Sequence, residues 1–224
     1  MTATAAKPIS AAQLTIVPAN QASWADLQAI FGVADYPGRC YCQHFKTEVW
    51  HWSLSDDERR RRLREQTNCD DPSAESTTGL VAYLGAEREP VGWVAVEPRT
   101  EYARLLRGQA RTVWSGRQED RADDSVWAVT CLVTRKGYRK RGLTYALAAA
   151  TVGYARERGA RALEAYPMIT LPGKEITWGE LHVGSRQVFA EAGFTEVHRP
   201  SPRRVVMRVD FPENAASTTS AARD

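Results

Sequence analysis

The sequence predicts an α/β fold with a mixed, partly antiparallel sheet flanked by helices. Strand-like and helix-like segments follow one another in the order β-α-α-β-β-β-α-β-α-β-β from residue 14 to residue 209. A single strand–helix–strand unit, residues 126–166, within this mixed order indicates a sheet that is only partly antiparallel. Residues 126–133, VWAVTCLV, are apolar on both alternating faces, as in a buried central strand.

Length and composition indicate one globular domain between two short tails. The chain has 224 residues, 43% of them hydrophobic and 25% charged, which are ordinary values for a globular protein. Residues 1–12 and 212–224 are rich in Ala, Ser and Thr and offer little for a core to bury. We therefore predict a single domain over residues 13–211, with disordered tails over residues 1–12 and 212–224.

Charge, hydropathy and cysteine usage restrict the partners and the location. Thirty Lys and Arg against 27 Asp and Glu give a net charge of +3, which argues against nucleic acid as a partner. No segment approaches the roughly 18 apolar residues of a membrane span, and the N-terminus lacks a signal-peptide pattern. Because the four cysteines have no disulfide spacing, we expect a cytoplasmic protein with reduced thiols and no membrane partner. A homodimer is compatible with the sequence.

The N-terminal half contains the first five predicted elements. Its apolar strands are residues 14–17, 79–84 and 91–96. The first helix begins at Asn20 or Ser23 and has an apolar face at helical spacing: Trp24, Leu27, Ile30 and Phe31. The second helix begins in a capping box of Ser55 and Glu58 and is polar throughout.

The C-terminal half alternates strands and helices after a long polar connection, residues 100–124, which has a helical turn at 102–106. Its predicted strands are residues 126–133, 162–166, 194–198 and 204–209, and the last two form a hairpin. A helix over residues 142–158 ends at Gly159, and a shorter helix over residues 185–192 ends at Gly193.

The loop between the central strand and the helix that follows it is strongly basic. Residues 135–141 include five Lys or Arg among seven residues, and Gly142 opens the helix. Unpaired backbone N–H groups and the helix dipole favour anions at such a helix start, and Gly142 lets the backbone approach a ligand closely. On these features alone the loop is a phosphate site, a solvated loop or a contact for nucleic acid.

The same segment resembles the signature of the GNAT superfamily of acetyl-CoA-dependent N-acetyltransferases. That signature is Arg/Gln-x-x-Gly-x-Gly/Ala, and Arg139, Gly142 and Thr144 occupy its three places. Residues 190–194, AEAGF, are similar to the end of the family's closing helix. The sequence departs from the family pattern at Thr144, at Phe189, where a Tyr is usual, and at His182, where an Asn is usual.

The resemblance implies a fold, a co-substrate and a binding site. The central strand would splay from its parallel neighbour, and the pantetheine of acetyl-CoA would bind backbone near Leu132 and Val133. The pyrophosphate would bind in the basic loop and at the helix start: Arg139, Lys140, Arg141, Gly142, Leu143 and Thr144. The implied chemistry needs no metal.

An aromatic segment between the first two helices is the predicted wall of the acceptor site. The candidate substrate-binding residues are Tyr36, Tyr41, His44, Phe45, Trp50 and Trp52. In the GNAT family this connection usually covers the acceptor, although plain packing of the aromatics on the sheet explains them equally well. Cys40, Cys42 and His44 stand too close together for an ordinary structural zinc site.

The resemblance also implies direct attack on the thioester by a neutral amine, which requires a proton acceptor. Glu97, at the end of a strand beside the central one, is the first candidate base, with Glu164, Glu180 and Asp124 as alternatives. His182 is a candidate base, a polar loop residue, or the acid for the leaving thiolate, because histidine titrates near neutrality and Phe189 has no proton to give.

The predicted function is therefore an N-acetyltransferase that uses acetyl-CoA and acts on a primary amine of a small molecule, such as an antibiotic or another specialised metabolite. The alternatives are acetylation of a protein or aminoacyl-tRNA amine, and a non-catalytic CoA-binding regulatory module. The sequence does not name the acceptor.

Overall fold

The computed structural model describes residues 7–32, 39–48, 51–107, 111–171, 173 and 176–212. The strands are β1 Leu14–Pro18, β2 Gly79–Leu84, β3 Glu89–Pro98, β4 Val126–Thr134, β5 Ala162–Ala165, β6 Thr195–Ser201 and β7 Arg204–Asp210. The α-helices are α1 Trp24–Phe31, α2 Gln43–Lys46, α3 Asp56–Thr67, α4 Ala103–Leu106, α5 Arg111–Trp114, α6 Leu143–Glu157, α7 Trp178–Leu181 and α8 Arg186–Glu191.

The described strands form one seven-stranded sheet in the order β1-β2-β3-β4-β5-β7-β6. The β4–β5 pair is parallel and the other pairs are antiparallel. This confirms the predicted mixed sheet and its single parallel crossover, which runs through α6. Three short helices, α2, α5 and α7, lie in segments for which no helix was predicted.

The parallel pair at the centre of the sheet separates along its length. β4 pairs with β5 only from Val126 to Val129, and the rest of β4 has no partner in β5. On its other edge β4 pairs with β3 as far as Thr134. Val129 faces Val96 and Cys131 faces Ala95, so Thr130 between them has no partner in β3 and forms a β-bulge. The splayed central pair is therefore present, and the open edge of β4 begins at the bulge.

Helices cover both faces of the sheet. Leu132 lies in the buried cluster on the α6 and α8 face, with Leu147 and Phe189. Cys131 and Val133 lie in the cluster on the α1 and α3 face, with Trp93 and Phe31. Side-chain alternation along β4 thus fills both cores and leaves only backbone groups for its open edge.

Part of the predicted N-terminal tail packs on the domain. The N–H of Ile9 donates to the carbonyl of Arg141 over 2.9 Å, and Ile9 is buried. Ser10 caps a 3₁₀ turn, Ala11–Gln13, which leads into β1. Residues 7–12 therefore contact the loop after β4, an outcome that composition alone does not reveal because one buried isoleucine anchors the segment.

Within the part of the chain that the structure describes, no helix is long and apolar enough to cross a membrane.

Candidate active site

The start of α6 presents backbone N–H groups that no side chain caps. Gly142 is its N-cap residue, in a left-handed conformation with φ 85°, and it has no side chain to bond the first turn. Only glycine adopts this conformation without cost, and Lys140, two residues earlier, also has positive φ. The first-turn N–H groups, the helix dipole and the preceding cations together suit an anion.

The basic side chains of this loop are partly held by the protein. Arg139 Nε donates to the carbonyl of Thr134 over 3.4 Å, and Arg141 Nε donates to the carbonyl of Lys7 over 2.8 Å. Lys140 is exposed and Thr144 half-buried, whereas the Leu143 side chain is buried in the core. The structure thus brings the six predicted pyrophosphate residues together, with Leu143 able to contribute only its backbone.

The open edge of β4 carries a directed backbone donor. The Leu132 N–H donates to the carbonyl of His182 over 2.7 Å. Because successive peptide groups of a strand point to opposite edges, the Val133 N–H is directed to β3, where Val133 is paired with Trp93. Of the two predicted pantetheine contacts, Leu132 therefore faces the open edge and Val133 does not.

His182 contacts the Leu132 N–H with its backbone carbonyl and lines a cavity with its ring. The short helix α7 before it begins in a capping box of Thr177 and Glu180. His182 Nδ1 lies 2.6 Å from the carbonyl of Gly179, so this nitrogen bears the proton and Nε2 bears the lone pair of the neutral ring.

Burial lowers the pKa of His182 from 6.5 to about 4. The ring is consequently neutral near pH 7. The expectation that His182 titrates near neutrality is wrong, because the buried site disfavours the imidazolium. Its role as the acid for the thiolate stays a prediction.

The cavity beside His182 has a volume of about 200 Å³. Its walls include His44 and Phe45 of α2, Arg104 of α4, Tyr166 after β5, His182, and Arg204 at the start of β7. The His44 and Phe45 rings lie 5.3 Å and 6.1 Å from the His182 ring, between centroids. Two predicted acceptor-site residues and one predicted catalytic residue therefore meet in one cavity.

The other predicted acceptor-site residues lie elsewhere or outside the description. Tyr41 is buried and stacks on Phe31 at 5.5 Å between ring centroids. Trp52 packs between the guanidinium groups of Arg39 and Arg59. Tyr41 and Trp52 thus pack against other side chains and are not among the described residues that line this cavity. Tyr36 and Trp50 lie outside the described residues.

Glu97 is part of a buried ion pair. Its carboxylate contacts Lys46 Nζ, and it accepts a hydrogen bond from Thr78 Oγ1 over 2.6 Å. The Tyr102 ring lies 5.2 Å from the same Lys46 nitrogen, and burial raises the Tyr102 pKa well above its ordinary value. Glu97 is not among the described residues that line the cavity. The contacts assign its carboxylate to neutralising Lys46.

The first alternative base, Glu164, is also engaged. It is fully buried and contacts Arg99, Arg117 and Arg208, and it accepts a hydrogen bond from Tyr166 Oη over 2.9 Å. This network joins the connection after β3 to the sheet. The Glu164 carboxylate is therefore already occupied by three guanidinium groups.

Phe189 is buried against Phe194, with their ring centroids 5.1 Å apart. A Cβ added at Gly184 would lie 2.8 Å from both Phe189 Cε2 and Leu132 Cδ1. The ring therefore packs directly behind the loop that places His182, and it offers no proton donor there.

Cys40, Cys42 and Cys131 interact beneath α2. Trp93 Nε1 donates to Cys42 Sγ over 3.1 Å. The Cys42 thiol and burial raise the pKa of Cys131, and burial raises that of Cys40 to about 12. Such thiols are poor nucleophiles near neutral pH. Among the described residues, no group of three or more His, Cys, Asp or Glu could hold a metal ion.

A comparison with known protein families identifies the family of this chain. The sequence model of the acetyltransferase (GNAT) family matches residues 42–170, more than half of the chain. The chain belongs to the GNAT acetyltransferase family. It is therefore an acetyltransferase, and the resemblance drawn from Arg139, Gly142 and Thr144 is confirmed.

Solved GNAT acetyltransferases share the fold. A structure from Kribbella flavida has 17% identity, a TM-score of 0.51, and coverage of 90% of this chain and 100% of its own. One from Bacillus anthracis has 12% identity, a TM-score of 0.50, and coverage of 88% and 95%. One from Salmonella typhimurium, determined with its cofactor acetyl-CoA, has 13% identity, a TM-score of 0.50, and coverage of 91% and 97%. No curated protein matches the chain.

Several cavity residues of this acetyltransferase were not predicted from the sequence. Arg104, Tyr166 and Arg204 come from three segments that are distant in the sequence, and none lies in a motif. The Arg203–Arg204 pair before a predicted strand was a detectable signal, since a charge at the start of an inner strand needs either solvent or a partner.

Proposed function

We propose that the enzyme transfers the acetyl group of acetyl-CoA to a primary amine of a small molecule bound in the cavity beside His182. One observation carries the proposal: the His182 carbonyl accepts from Leu132 on the open edge of β4, and the His182 ring lines the cavity. The cavity therefore adjoins a β4 donor whose direction fits a bound carbonyl.

The residues present suit acetyl-CoA, which supplies an activated acetyl thioester. The uncapped start of α6, with exposed Lys140, supports binding of a pyrophosphate. The separation of β4 from β5 after Val129 supports entry of an extended arm beside Leu132. An N–H in that position stabilises negative charge that develops on a carbonyl oxygen. The Salmonella structure, which shares the fold, provides a precedent for acetyl-CoA.

The size of the cavity favours a small acceptor. Its volume of about 200 Å³ is below the roughly 300–1,000 Å³ of pockets for drug-sized ligands. The His44, Phe45 and Tyr166 rings line it and favour a compact molecule with an apolar part. The neutral His182 ring has a lone pair on Nε2 that can accept a hydrogen bond from the amine, directly or through water.

Release of the CoA thiol tests this function. The protein is incubated with acetyl-CoA and one of three acceptor sets: small primary amines, a lysine-rich protein, or aminoacyl-tRNA. We expect thiol release with at least one small amine and acetylation of that amine. Release only with the protein or the tRNA contradicts a small acceptor, and release with none of the sets contradicts acetyl transfer to amines.

We also propose a reducing compartment, the cytoplasm, as the location. All four cysteines are free thiols, and Cys40 and Cys131 are buried. Free thiols are stable where glutathione and thioredoxin keep them reduced.

A further inference from the structure

We propose that the acceptor amine carries an anionic group, a carboxylate or a phosphonate, and that Arg204 binds this group. The inference rests on the proposed function and adds the chemical class of the acceptor. It follows from three observations: the positive charge of the cavity, the lack of an ion-pair partner for Arg204 among the described residues, and the position of His182.

The cavity is cationic. Two guanidinium groups, Arg104 and Arg204, line it, and the described lining residues include no Asp or Glu. The His182 ring adds no charge near pH 7 because burial lowers its pKa to about 4. Charges act more strongly in a partly desolvated cavity than in water, so this lining repels a bare ammonium and attracts an anion.

Arg204 is a half-buried charge with no ion-pair partner among the described residues. No described carboxylate lies within ion-pair distance of its guanidinium, and the nearby Glu180 pairs with Arg203 over 3.2 Å. Four residues further along β7, Arg208 contacts Glu119, Glu164 and Asp210. Burial lowers the pKa of Arg204, which records the cost of its desolvation. An anionic ligand would offset that cost.

Arg104 supplies a second guanidinium that the protein positions. Its Nη1 donates to the carbonyl of His44 over 3.3 Å, which ties it to α2. The geometry of guanidinium suits two-point binding of a carboxylate or phosphonate. We expect Arg204 to provide most of the anion's binding and Arg104 to contribute to its orientation.

The position of His182 orients the acceptor. Its ring lines the cavity with Arg204, and its carbonyl marks the open edge of β4 through Leu132. A molecule with its anion at Arg204 therefore directs its amine toward the β4 edge. The proposed acceptors are amino acids or aminophosphonates.

Matched pairs of amines test the inference. The probes are phenylalanine, methionine and 3-aminopropylphosphonate, each compared with a neutral analogue: the two amides and 3-aminopropanol. In wild-type protein we expect the anionic member of at least one pair to have a kcat/KM at least tenfold above that of its analogue. In Arg204→Gln we expect this preference to fall at least tenfold, mainly because the KM of the anionic amine rises. In Arg204→Lys, which keeps the positive charge, we expect part of the preference to remain.

Controls separate a local effect from misfolding. Arg199→Gln removes an exposed arginine that pairs with Glu196 outside the cavity, and it should keep the wild-type preference. Acetyl-CoA affinity, measured by calorimetry, should be unchanged in Arg204→Gln. If Arg204→Gln does not fold, Arg104→Gln replaces it. That variant should also have a smaller preference for the anionic amine over its neutral analogue than the wild type has.

A binding readout distinguishes failure of the inference from failure of the proposed function. Thermal stabilisation of wild-type protein by the anionic probes, absent in Arg204→Gln, supports the anion site even if no amine is acetylated. Acetylation of neutral amines as efficiently as their anionic partners overturns the inference while leaving the function intact. An unchanged preference in Arg204→Gln also overturns it, as does the absence of both turnover and stabilisation with every anionic probe.

Discussion

The carbonyl of His182 accepts a hydrogen bond from the Leu132 N–H over 2.7 Å, across the open edge of β4. The backbone donor best placed to polarise a thioester carbonyl is thus engaged by the chain itself. For Leu132 to bond an acetyl carbonyl, His182 must give up this contact. The neighbouring segment is also fixed by the Met168 N–H, which donates to the carbonyl of Gly184 over 3.0 Å. If the acetyl carbonyl binds Leu132 as proposed, acetyl-CoA binding and movement of this loop are coupled.

Gly184→Ala should disturb this junction. The new Cβ would lie 2.8 Å from Leu132 Cδ1 and Phe189 Cε2, and Gly184 has a φ of +79°, which alanine adopts at a cost. We expect a loss of about 2 kcal/mol in the free energy of unfolding and a lower kcat/KM. Gly153→Ala is the matched control, because nothing lies within 4 Å of its added Cβ in α6. Equal effects of the two changes on urea unfolding would contradict the tight packing at Gly184.

Gly142→Asp should weaken acetyl-CoA binding. It places a negative charge at the uncapped start of α6, where the pyrophosphate is proposed to bind. We expect an affinity loss of at least tenfold, about 1.4 kcal/mol, in calorimetry.

Gly85→Asp is the matched control for this change. Gly85 also has positive φ and open space around its added Cβ, but it lies in the turn between β2 and β3. The control should lose similar stability and keep its affinity. An unchanged affinity in folded Gly142→Asp would contradict the anion site.

The strands and the anion loop could be predicted from the sequence, whereas the cavity could not. Apolar alternation and a basic loop are local patterns, and β4 and α6 follow them within one or two residues. The cavity depends on which distant segments meet, so the Arg203–Arg204 pair is visible in the sequence but the cavity that Arg204 shares with Arg104 is not. Tyr41 shows the opposite error: aromatic content indicated a wall, but the left-handed backbone at Tyr41 and Cys42 turns that side chain toward α1.

Stability should fall in acid because of His182. Its pKa is about 4 in the folded protein and 6.5 ordinarily, so the unfolded chain binds more protons between these values. The free energy of unfolding is therefore highest above pH 6.5 and decreases as the pH falls toward 4, by about 3 kcal/mol from this group. In His182→Gln, urea unfolding at several pH values should show a shallower decrease. The same slope as in the wild type would contradict the buried neutral ring.

Glu97→Gln should destabilise the protein more than it slows chemistry. It leaves Lys46 buried without its charged partner, at an expected cost of about 3 kcal/mol in the free energy of unfolding. The double change Lys46→Met with Glu97→Gln should recover part of that loss in a double-mutant cycle. If Glu97→Gln instead keeps its stability and loses ~10²–10⁴ in kcat, Glu97 is the general base after all.

The proposal that acetyl transfer takes place beside Leu132 is tested most directly by the amide signal of Leu132. The protein is labelled with ¹⁵N-leucine, the signal is assigned with Leu132→Val, and spectra are recorded at saturating acetyl-CoA and at saturating CoA. We predict that the Leu132 signal moves with acetyl-CoA and takes a different position with CoA, because the acetyl carbonyl replaces His182 as its acceptor. A Leu132 signal that stays in place, while that of Leu143 at the start of α6 shifts, would contradict transfer at this edge.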